Sequence, residues 1–292
     1  MLKQRIITGV LLLPVVGVVL FGLNLKGFAL ALLAINYLMG WEWARLAGVQ
    51  SGASKSFFAL FVSFLALVVW YFNQNLQLWP STWFVEWHWT STLISYWLTL
   101  MAWVLAIIMI LVSKYNKSFW THGPWFRLAI GAILIVGFWV SAISVRNIQI
   151  SQDPYFGGYL VLYMLTLIWG ADVGGYIFGK LFGKHKLAPS VSPGKTWEGF
   201  LGGLGLSLVV AFVGSYLLNF KINDYFIFAG SVIFITVISV FGDLFVSLLK
   251  RQENLKDTSH LLPGHGGILD RLDSSLAVAP FFLLIFSFQG WI

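Results

Sequence analysis

The chain of 292 residues contains no cysteine and few charged side chains. Without cysteine it has no disulfide framework, no thiolate nucleophile and no cysteine-based zinc site. Only 10% of its residues are charged, whereas an average soluble domain has about 25%. A soluble fold would therefore lack the polar residues that cover its surface. Since hydrophobic residues make up 59% of the chain, the composition predicts an integral membrane protein.

Apolar runs of about 20 residues recur along the chain, and each is long enough to cross a hydrocarbon core of about 30 Å as a helix. The runs lack the period-2 alternation of a membrane barrel, and backbone groups in lipid must pair within their own segment. The first run lacks a small-residue cleavage site and is followed by further apolar runs, so it is a retained span rather than a signal peptide. The predicted fold is all-α, a polytopic membrane helix bundle of about nine transmembrane helices. The predicted spans lie near 6–23, 27–46, 56–73, 92–112, 127–145, 158–178, 199–219, 225–249 and 274–290.

Lysine and arginine are distributed unevenly among the segments that join these spans. If the N-terminus is cytoplasmic, only Lys26, Arg146 and Lys221 fall in outer segments, as the positive-inside rule requires. The net charge of +7 therefore reports membrane topology rather than a nucleic-acid partner. The stretch 73–91 lacks Lys and Arg and is expected to be an outer loop at the headgroup region. Its tryptophans are Trp79, Trp83, Trp87 and Trp89.

The distribution of polar residues predicts one integral membrane domain over 1–292. We expect an N-terminal transmembrane part over 1–150 and a catalytic transmembrane part over 158–292. The two longest polar stretches, 179–198 and 250–273, are both predicted to face the cytoplasm and hold most of the residues that could carry chemistry.

Three carboxylates lie inside predicted spans, where an ionised group is costly and usually faces a cavity, a partner or an ion. Asp172 and Asp243 each precede the predicted cytoplasmic end of a helix by about six residues, so both would lie roughly 9 Å below the interface. Their side chains could share one depth in a pit open to the cytoplasm. The alternative is that each pairs with a cation of a neighbouring helix for packing. Glu42 is interpreted as a structural ion pair with Arg45, three residues further along the helix.

The polar stretch 250–273 combines cations, glycines and carboxylates. The glycines allow backbone N–H groups to come close to an anion. Asp270 and Asp273, spaced i and i+3 at the start of the last helix, can face the same side and offer hard oxygen ligands. Together these features indicate a polyphosphate bridged by Mg²⁺, whereas a solvated loop touching anionic lipid would need neither the glycines nor the acidic pair. The cations are Lys250, Arg251, Lys256 and Arg271, and the glycines are Gly264, Gly266 and Gly267.

The other polar stretch contains Gly194, Lys195 and Thr196, which end a P-loop pattern. That pattern requires glycine where this chain has Pro189, so a P-loop is rejected. What remains is a hydroxyl-rich segment with a lysine, suited to holding phosphate or nucleotide oxygens. Glycines at about four-residue spacing before it are interpreted as helix packing rather than as a binding site. They are Gly170, Gly174, Gly175, Gly179 and Gly183.

These motifs resemble a known family, the phosphatidate cytidylyltransferases. The run Ser247–Asp273, S-L-L-K-R-x4-K-D-x-S-x2-L-P-G-H-G-G-I-L-D-R-L-D, is similar to the signature of that family. The resemblance extends to Trp169–Asp172 and Ser192–Gly199, and more weakly to Leu2–Arg5 and Trp41–Trp43. It is therefore concentrated after residue 165.

The resemblance implies a reaction of phospholipid biosynthesis in a bacterial cytoplasmic (inner) membrane. The phosphate of phosphatidate would attack the α-phosphorus of CTP, forming CDP-diacylglycerol and releasing pyrophosphate. The expected partners are CTP and phosphatidate in the membrane, with a homodimer left open and no nucleic acid. Mg²⁺ is the implied cofactor, with room for K⁺ as a second cation, and Asp243 and Asp270 would be the metal ligands. The catalytic residues would be Asp243, Lys250, Arg251, Asp270, Arg271 and Asp273. The substrate-binding residues would be Asp172, Ser192, Lys195, Thr196, Ser247, Lys256, Asp257, Gly264, His265, Gly266 and Gly267.

One position departs from that family, and two other functions stay open. Many members have Glu where this chain has Val246, so a cation held by that Glu would need other ligands here. One alternative is another membrane nucleotidyl- or phosphotransferase acting on a lipid alcohol, such as the dolichol kinase-like proteins. The other is an ion-coupled transporter, because intramembrane aspartates also suit ion coupling. A transporter predicts discontinuous helices and a midplane site, whereas the charged groups here cluster at one face.

Overall fold

The computed structural model describes residues 2–73, 91–113, 123–149 and 152–292. Within these ranges the chain forms nine α-helices, one π-helical turn over Val18–Gly22 and one two-stranded hairpin. The predicted all-α bundle is confirmed, whereas the tryptophan-rich stretch 74–90 lies outside the described residues. The helices are α1 (Leu2–Gly17), α2 (Leu25–Leu46), α3 (Gly52–Phe72), α4 (Ser91–Ser113), α5 (Gly123–Asn147), α6 (Phe156–Phe182), α7 (Trp197–Leu217), α8 (Tyr225–Gln252) and α9 (Leu269–Phe288). The strands are β1 (Lys186–Ala188) and β2 (Ser192–Thr196).

Seven of these helices, α3 to α9, are long and apolar enough to cross a membrane. The chain is therefore a multi-pass membrane protein. Their buried fractions differ widely: 83% of the apolar window of α5 is buried, against 28% for α3 and 22% for α7. α5 thus lies at the centre of the bundle, while α3 and α7 lie at its edge. Large apolar side chains on these edge helices, such as Phe57 and Val209, are exposed and suited to contact lipid.

Two helices extend further than predicted. α6 continues to Phe182 and α8 to Gln252, nine or ten residues beyond Asp172 and Asp243. At 1.5 Å per residue both aspartates lie about 14 Å from their helix ends, so the two match in this distance, and the depth of about 9 Å below the interface stays a prediction. Between α6 and α7 the chain forms the β1–β2 hairpin, where Lys186 pairs with Thr196 in an antiparallel register. The sequence analysis did not predict this hairpin.

Glycines let α6 and α7 pack with their backbones almost in contact. A Cβ added to Gly203 would lie 2.5 Å from the carbonyl oxygen of Ala171, and one added to Gly174 would lie 2.5 Å from the carbonyl oxygen of Gly202. Small residues at a helix interface allow such an approach in membranes. The interpretation of the regularly spaced glycines as a packing surface is confirmed at Gly174.

Side chains that bridge helix ends show which ends share a face of the bundle. Arg127, at the start of α5, donates to the carbonyl oxygen of Leu46 at 3.1 Å and pairs with Glu253, just after α8. At the other end of α5, Arg146 donates to the carbonyl oxygen of Leu23, before α2, at 3.4 Å. The ends of α2 and α8 and the start of α5 therefore lie at one face, as the predicted alternation of spans requires.

A proline inside α9 creates an attachment point for α4. Pro280 has no backbone N–H, so the carbonyl of Leu276, four residues earlier, loses its helical partner. Trp103 of α4 donates its indole N–H to that carbonyl at 3.2 Å. Tyr96, two turns earlier on α4, donates its hydroxyl to the carbonyl of Pro280 itself at 2.5 Å. Trp103 thus satisfies a carbonyl of α9 that would otherwise be unpaired in an apolar interior, and Tyr96 adds a second hydrogen bond between the two helices.

The α6–α7 contact predicts that a methyl group added at one glycine of α7 destabilises the protein, whereas a methyl group added at a nearby glycine does not. Gly203→Ala should lower the free energy of unfolding by about 1–3 kcal/mol, because its Cβ would press on the backbone of α6. Gly205→Ala, two residues away in the same helix, meets nothing within 4 Å and should leave stability unchanged or raised by roughly 0.5–1 kcal/mol. Thermal unfolding midpoints of the two purified variants in detergent test this difference. Equal midpoints would contradict the close packing of α6 on α7.

Candidate functional site

Three aspartates from different helices meet below one face of the bundle. They are Asp172 of α6, Asp243 of α8 and Asp273 of α9, and the charges of Asp172 and Asp243 both act on Asp273. Gly242 is the reason that α8 and α9 come so close: a Cβ added there would lie 2.7 Å from the carbonyl oxygen of Asp273. The convergence of aspartates that the sequence suggested is therefore present in the fold.

A lysine of the hairpin reaches the acidic group. Lys195 Nζ lies 2.5 Å from Asp243 Oδ2, and both side chains are about one-quarter exposed, at 26% and 27%. Ser247, one turn after Asp243, donates its hydroxyl to Asp243 Oδ1 at 3.2 Å. The ion pair is therefore accessible to a ligand.

The hairpin is held in place at its turn and at the end of its second strand. Thr196 is the N-cap of α7, and its hydroxyl accepts a hydrogen bond from the backbone N–H of Gly199 at 3.1 Å. Arg251, near the end of α8, donates its Nε to the carbonyl of Val191 in the hairpin turn at 3.3 Å. The Gly-Lys-Thr sequence thus lies in a strand that runs directly into α7, which agrees with the rejection of a P-loop.

Asp270, in the first turn of α9, accepts hydrogen bonds from several protein donors, most of them at one of its two oxygens. Its Oδ1 accepts from Lys250 Nζ at 2.8 Å. Its Oδ2 accepts from the backbone N–H of Thr258 at 2.8 Å, from the Thr258 hydroxyl at 2.9 Å and from the N–H of Gly267 at 2.9 Å. Asp270 therefore organises the segment between α8 and α9, which we call the α8–α9 loop (residues 253–268).

Glycines shape the end of this loop. Gly264 and Gly266 adopt left-handed φ values of +79° and +83°, which other residues rarely adopt. Leu262 and Gly266 form an isolated antiparallel bridge, so the Pro-Gly-His-Gly segment is a closed turn. Arg271 of α9 donates its Nε to the carbonyl of His265 at 3.2 Å and fixes this turn against the helix.

Glu42 of α2 lies at the back of the loop, where the sequence analysis did not place it. Its carboxylate accepts hydrogen bonds from the hydroxyls of Thr258 and Ser259 and from the backbone N–H groups of Ile268 and Leu269. The predicted ion pair with Arg45 is wrong, because the guanidinium of Arg45 donates to the carbonyl of Thr258 instead. Both side chains turn toward the loop, which offers more hydrogen-bond partners than they offer each other.

A cavity of about 190 Å³ lies between α6, α7 and α8. Asp172 and Lys195 form its polar side, and Tyr176, Phe200 and Val240 are among the apolar residues of its wall. The cavity extends from the hairpin into the membrane-spanning part of the three helices. It joins a charged end to an apolar interior.

The carboxylates suit Mg²⁺ by their chemistry. Within the described ranges no three His, Asp or Glu side chains are close enough to hold a metal ion alone. Mg²⁺ usually takes only one or two protein carboxylates, however, and completes its shell with water and phosphate oxygens. Asp243 is accessible, and Asp270 Oδ1 has a single hydrogen-bond donor, the Lys250 ammonium. That ammonium, whose charge also acts on Asp243 and Asp273, occupies a position suited to a cation.

Other residues that were predicted to belong to the site lie elsewhere on the loop and the hairpin. Lys256 is exposed on the loop, Asp257 lies beside Gly266, and Ser192 begins strand β2. Val246 is fully buried in the hydrophobic core. The residues that the sequence analysis missed are Thr258 and Ser259. Both lie inside the quoted signature run. Two hydroxyl side chains directly after Asp257 are the sequence feature that could have identified them.

The sequence is similar to known cytidylyltransferases along its whole length. The sequence model of the Cytidylyltransferase family matches residues 3–289. The phosphatidate cytidylyltransferase of Haemophilus influenzae is 36% identical over 291 residues, covering 99% of this chain and 99% of the relative. The protein of the same name from Pseudomonas aeruginosa is also 36% identical over 291 residues, covering 100% of this chain and 99% of the relative. A Staphylococcus aureus relative with that name is 45% identical over 124 residues, 42% of this chain and 47% of its own.

The packing around Gly267 predicts that the loop opens when this residue gains a side chain. A Cβ there would overlap the Thr258 hydroxyl and the Glu42 carboxylate, so Gly267→Ala should displace the loop. Gly194→Ala, in the hairpin, meets nothing within 4 Å and is the matched control. Limited trypsin digestion in detergent should cleave Gly267→Ala after the exposed Lys256 faster than it cleaves the wild type or the control. Equal cleavage rates would show that the loop does not depend on this contact.

Proposed function

Because this chain belongs to the cytidylyltransferase family, we propose that it is a phosphatidate cytidylyltransferase, which converts CTP and phosphatidate to CDP-diacylglycerol and pyrophosphate. The observation that carries the proposal is the group of acidic and basic side chains at one face of a membrane bundle. Two full-length relatives at 36% identity bear that name. A charged triphosphate and a membrane lipid can both reach a site at this position.

The cations of the site are placed to neutralise a triphosphate. Lys195 and Lys250 come from the hairpin and from α8, and Arg271 comes from the first turn of α9. Lys195 and Arg271 both lie near enough to Asp172 for their charges to stabilise its carboxylate. Positioning and charge neutralisation account for most of the barrier reduction in phosphoryl transfer.

Asp243 and Asp270 are the residues proposed to hold Mg²⁺, with Asp273 nearby. When bound, Mg²⁺ supplies additional neutralisation of phosphate oxygens. Lys195 and Lys250 now lie against these two carboxylates, and both could turn to phosphate oxygens when the substrate arrives. A second cation such as K⁺ stays a prediction, and the buried side chain of Val246 offers it no ligand.

The reaction requires no nucleophile from the protein. A phosphate monoester has a second pKa near 6 and is mostly dianionic at neutral pH. One oxygen of phosphatidate therefore attacks the α-phosphorus of CTP directly, and the bond to the β-phosphate breaks as pyrophosphate leaves with the electron pair. We propose in-line displacement, in which His265 orders the glycine turn.

The cavity between α6, α7 and α8 is proposed to admit the lipid. Its wall is apolar and continues along membrane-spanning helices, whereas Asp172 and Lys195 lie at its charged end. An acyl chain could occupy the apolar part while the phosphate of phosphatidate lies near Lys195. CTP would then approach from the aqueous side, along the α8–α9 loop.

The site is proposed to face the cytoplasm in a bacterial inner membrane. The polar stretches 179–198 and 250–273, which contain the hairpin and the loop, hold eight lysines and arginines, and the positive-inside rule places such segments inside. The two full-length relatives are bacterial proteins. A nucleotide substrate is also supplied on that side.

An ion-coupled transporter fits the structure less well. The helices that carry Asp172 and Asp243 are continuous over 27 and 28 residues, whereas transporters of this kind usually bind ions at interrupted helices. A lipid kinase of the dolichol kinase type would use a similar cationic site. The two transferases differ in which part of CTP reaches the lipid.

We expect the purified protein to release pyrophosphate when it is supplied with phosphatidate, Mg²⁺ and CTP, and not with ATP, GTP or UTP. Cytidine-labelled CTP should label the lipid, whereas CTP labelled at the γ-phosphate should not, because only the cytidylyl group is transferred. A pyrophosphate assay and lipid extraction measure both results. Lipid labelled from the γ-phosphate would indicate a kinase, and no release with any nucleotide would refute the proposal.

Filling the cavity should weaken the binding of phosphatidate alone. Gly175 lines the cavity, and a Cβ there makes only an ordinary contact of 3.7 Å, so the side chain of Gly175→Leu can extend into the space. We expect the KM for phosphatidate to rise by about tenfold or more, while the KM for CTP stays nearly constant. Gly205→Leu, at a position with open space, is the control. A rise in the KM for CTP instead would assign the cavity to the nucleotide.

A further inference from the structure

We infer that Glu42 is a positioning residue of the active site, which fixes the α8–α9 loop and, through the hydroxyl of Thr258, the carboxylate of Asp270. This inference rests on the proposed function, because its effect is measured on cytidylyl transfer. Glu42 lies on α2, more than 200 residues before the loop in the sequence. It belongs to the half of the chain in which the sequence motifs are weakest.

The carboxylate of Glu42 is fully buried, and its described partners all come from the loop or the start of α9. Oε1 accepts from the hydroxyl of Ser259 at 2.5 Å and from the N–H of Ile268 at 3.0 Å. Oε2 accepts from the hydroxyl of Thr258 at 3.0 Å and from the N–H of Leu269 at 2.7 Å. Hydrogen bonds to an ionised acceptor are roughly twice as strong as neutral ones.

Two of these bonds serve the exposed backbone groups at the start of α9. The first N–H groups of a helix have no partner within it, and Ile268, at the N-cap of α9, provides no side-chain cap. Glu42 supplies the missing acceptor from another helix, and its negative charge is favoured at the positive end of the helix dipole. The start of α9, which carries Asp270 and Asp273, is therefore located by α2.

The hydroxyl of Thr258 connects Glu42 to Asp270. It lies 3.0 Å from Glu42 Oε2 and 2.9 Å from Asp270 Oδ2. A hydroxyl has a single proton to donate, so the two carboxylates share one donor between them. The orientation of Asp270, whose other oxygen faces Lys250, thus depends on a group that Glu42 holds in place.

Two further contacts hold the loop close to Glu42. Gly267 has no room for a Cβ between Thr258 and Glu42. Arg45, one turn beyond Glu42, donates to the carbonyl of Thr258 at 2.8 Å. Removal of the Glu42 charge would leave buried donors unpaired, which costs more than the loss of an average hydrogen bond.

The experiment compares four variants of the full-length protein in detergent. Glu42→Gln removes the charge, and Thr258→Val removes the shared hydroxyl at nearly constant shape. Thr258→Ser restores that hydroxyl. Asp224→Asn removes a carboxylate that also caps a helix, since Asp224 accepts from two N–H groups at the start of α8, at the end remote from Lys250.

Steady-state pyrophosphate release gives kcat and both KM values for each variant, and thermal unfolding identifies the folded fraction. Glu42→Gln and Thr258→Val should lower kcat per folded molecule by about tenfold or more, the equivalent of one charged hydrogen bond. Thr258→Ser should recover most of the kcat, and Asp224→Asn should match the wild type.

A role in folding alone would lower the unfolding midpoint of Glu42→Gln without changing kcat per folded molecule, and that result would overturn the inference. If Glu42→Gln does not fold, Thr258→Val decides, because a kcat within twofold of the wild type would also overturn it. An inactive wild type would instead refute the proposed function, so the two failures are distinguishable.

Discussion

A carboxylate that leaves water must find hydrogen-bond donors inside the protein, and this requirement determines the shape of the α8–α9 loop. An unpaired buried charge is strongly destabilising. Glu42 and Asp270 are surrounded by seven donors, backbone N–H groups, hydroxyls and one lysine, of which they share the Thr258 hydroxyl. The loop between them therefore folds around two negative charges rather than around an apolar core. Its conformation follows from satisfying both.

The rest of the site depends on how closely helices approach one another. Gly242 brings α8 against α9, and glycines such as Gly174 and Gly203 bring α6 against α7. Without these contacts the side chains of Asp172, Asp243 and Asp273 would lie on separate parts of the bundle. The hairpin then adds Lys195 from outside the helices. Small residues thus bring the acidic side chains together, and an irregular segment supplies the opposing charge.

Much of this arrangement could be predicted from the sequence, because its signals are local. Runs of apolar residues located all nine α-helices of the described ranges, and the signature run located most of the polar groups. The β1–β2 hairpin was missed, since strands of three and five residues in a polar stretch leave no distinct pattern. The partners of Glu42 lie 216 to 227 residues away, so its local pattern suggested only Arg45. The hydrogen bonds to Asp270 likewise come from residues that only the folded chain brings together.

The proline of α9 has a consequence for how the chain could be divided. The carbonyl of Leu276, which Pro280 leaves without its helical partner, is satisfied by Trp103, and Tyr96 donates to the carbonyl of Pro280; both donors lie before residue 150. A fragment that begins at residue 158 would retain every proposed ligand of the nucleotide yet leave the carbonyl of Leu276 unpaired in the middle of its last helix. The proposed division into an N-terminal and a catalytic part therefore describes where the proposed chemistry lies and does not define two parts that fold independently. Swapping either half between relatives would require that these donors and acceptors be inherited together.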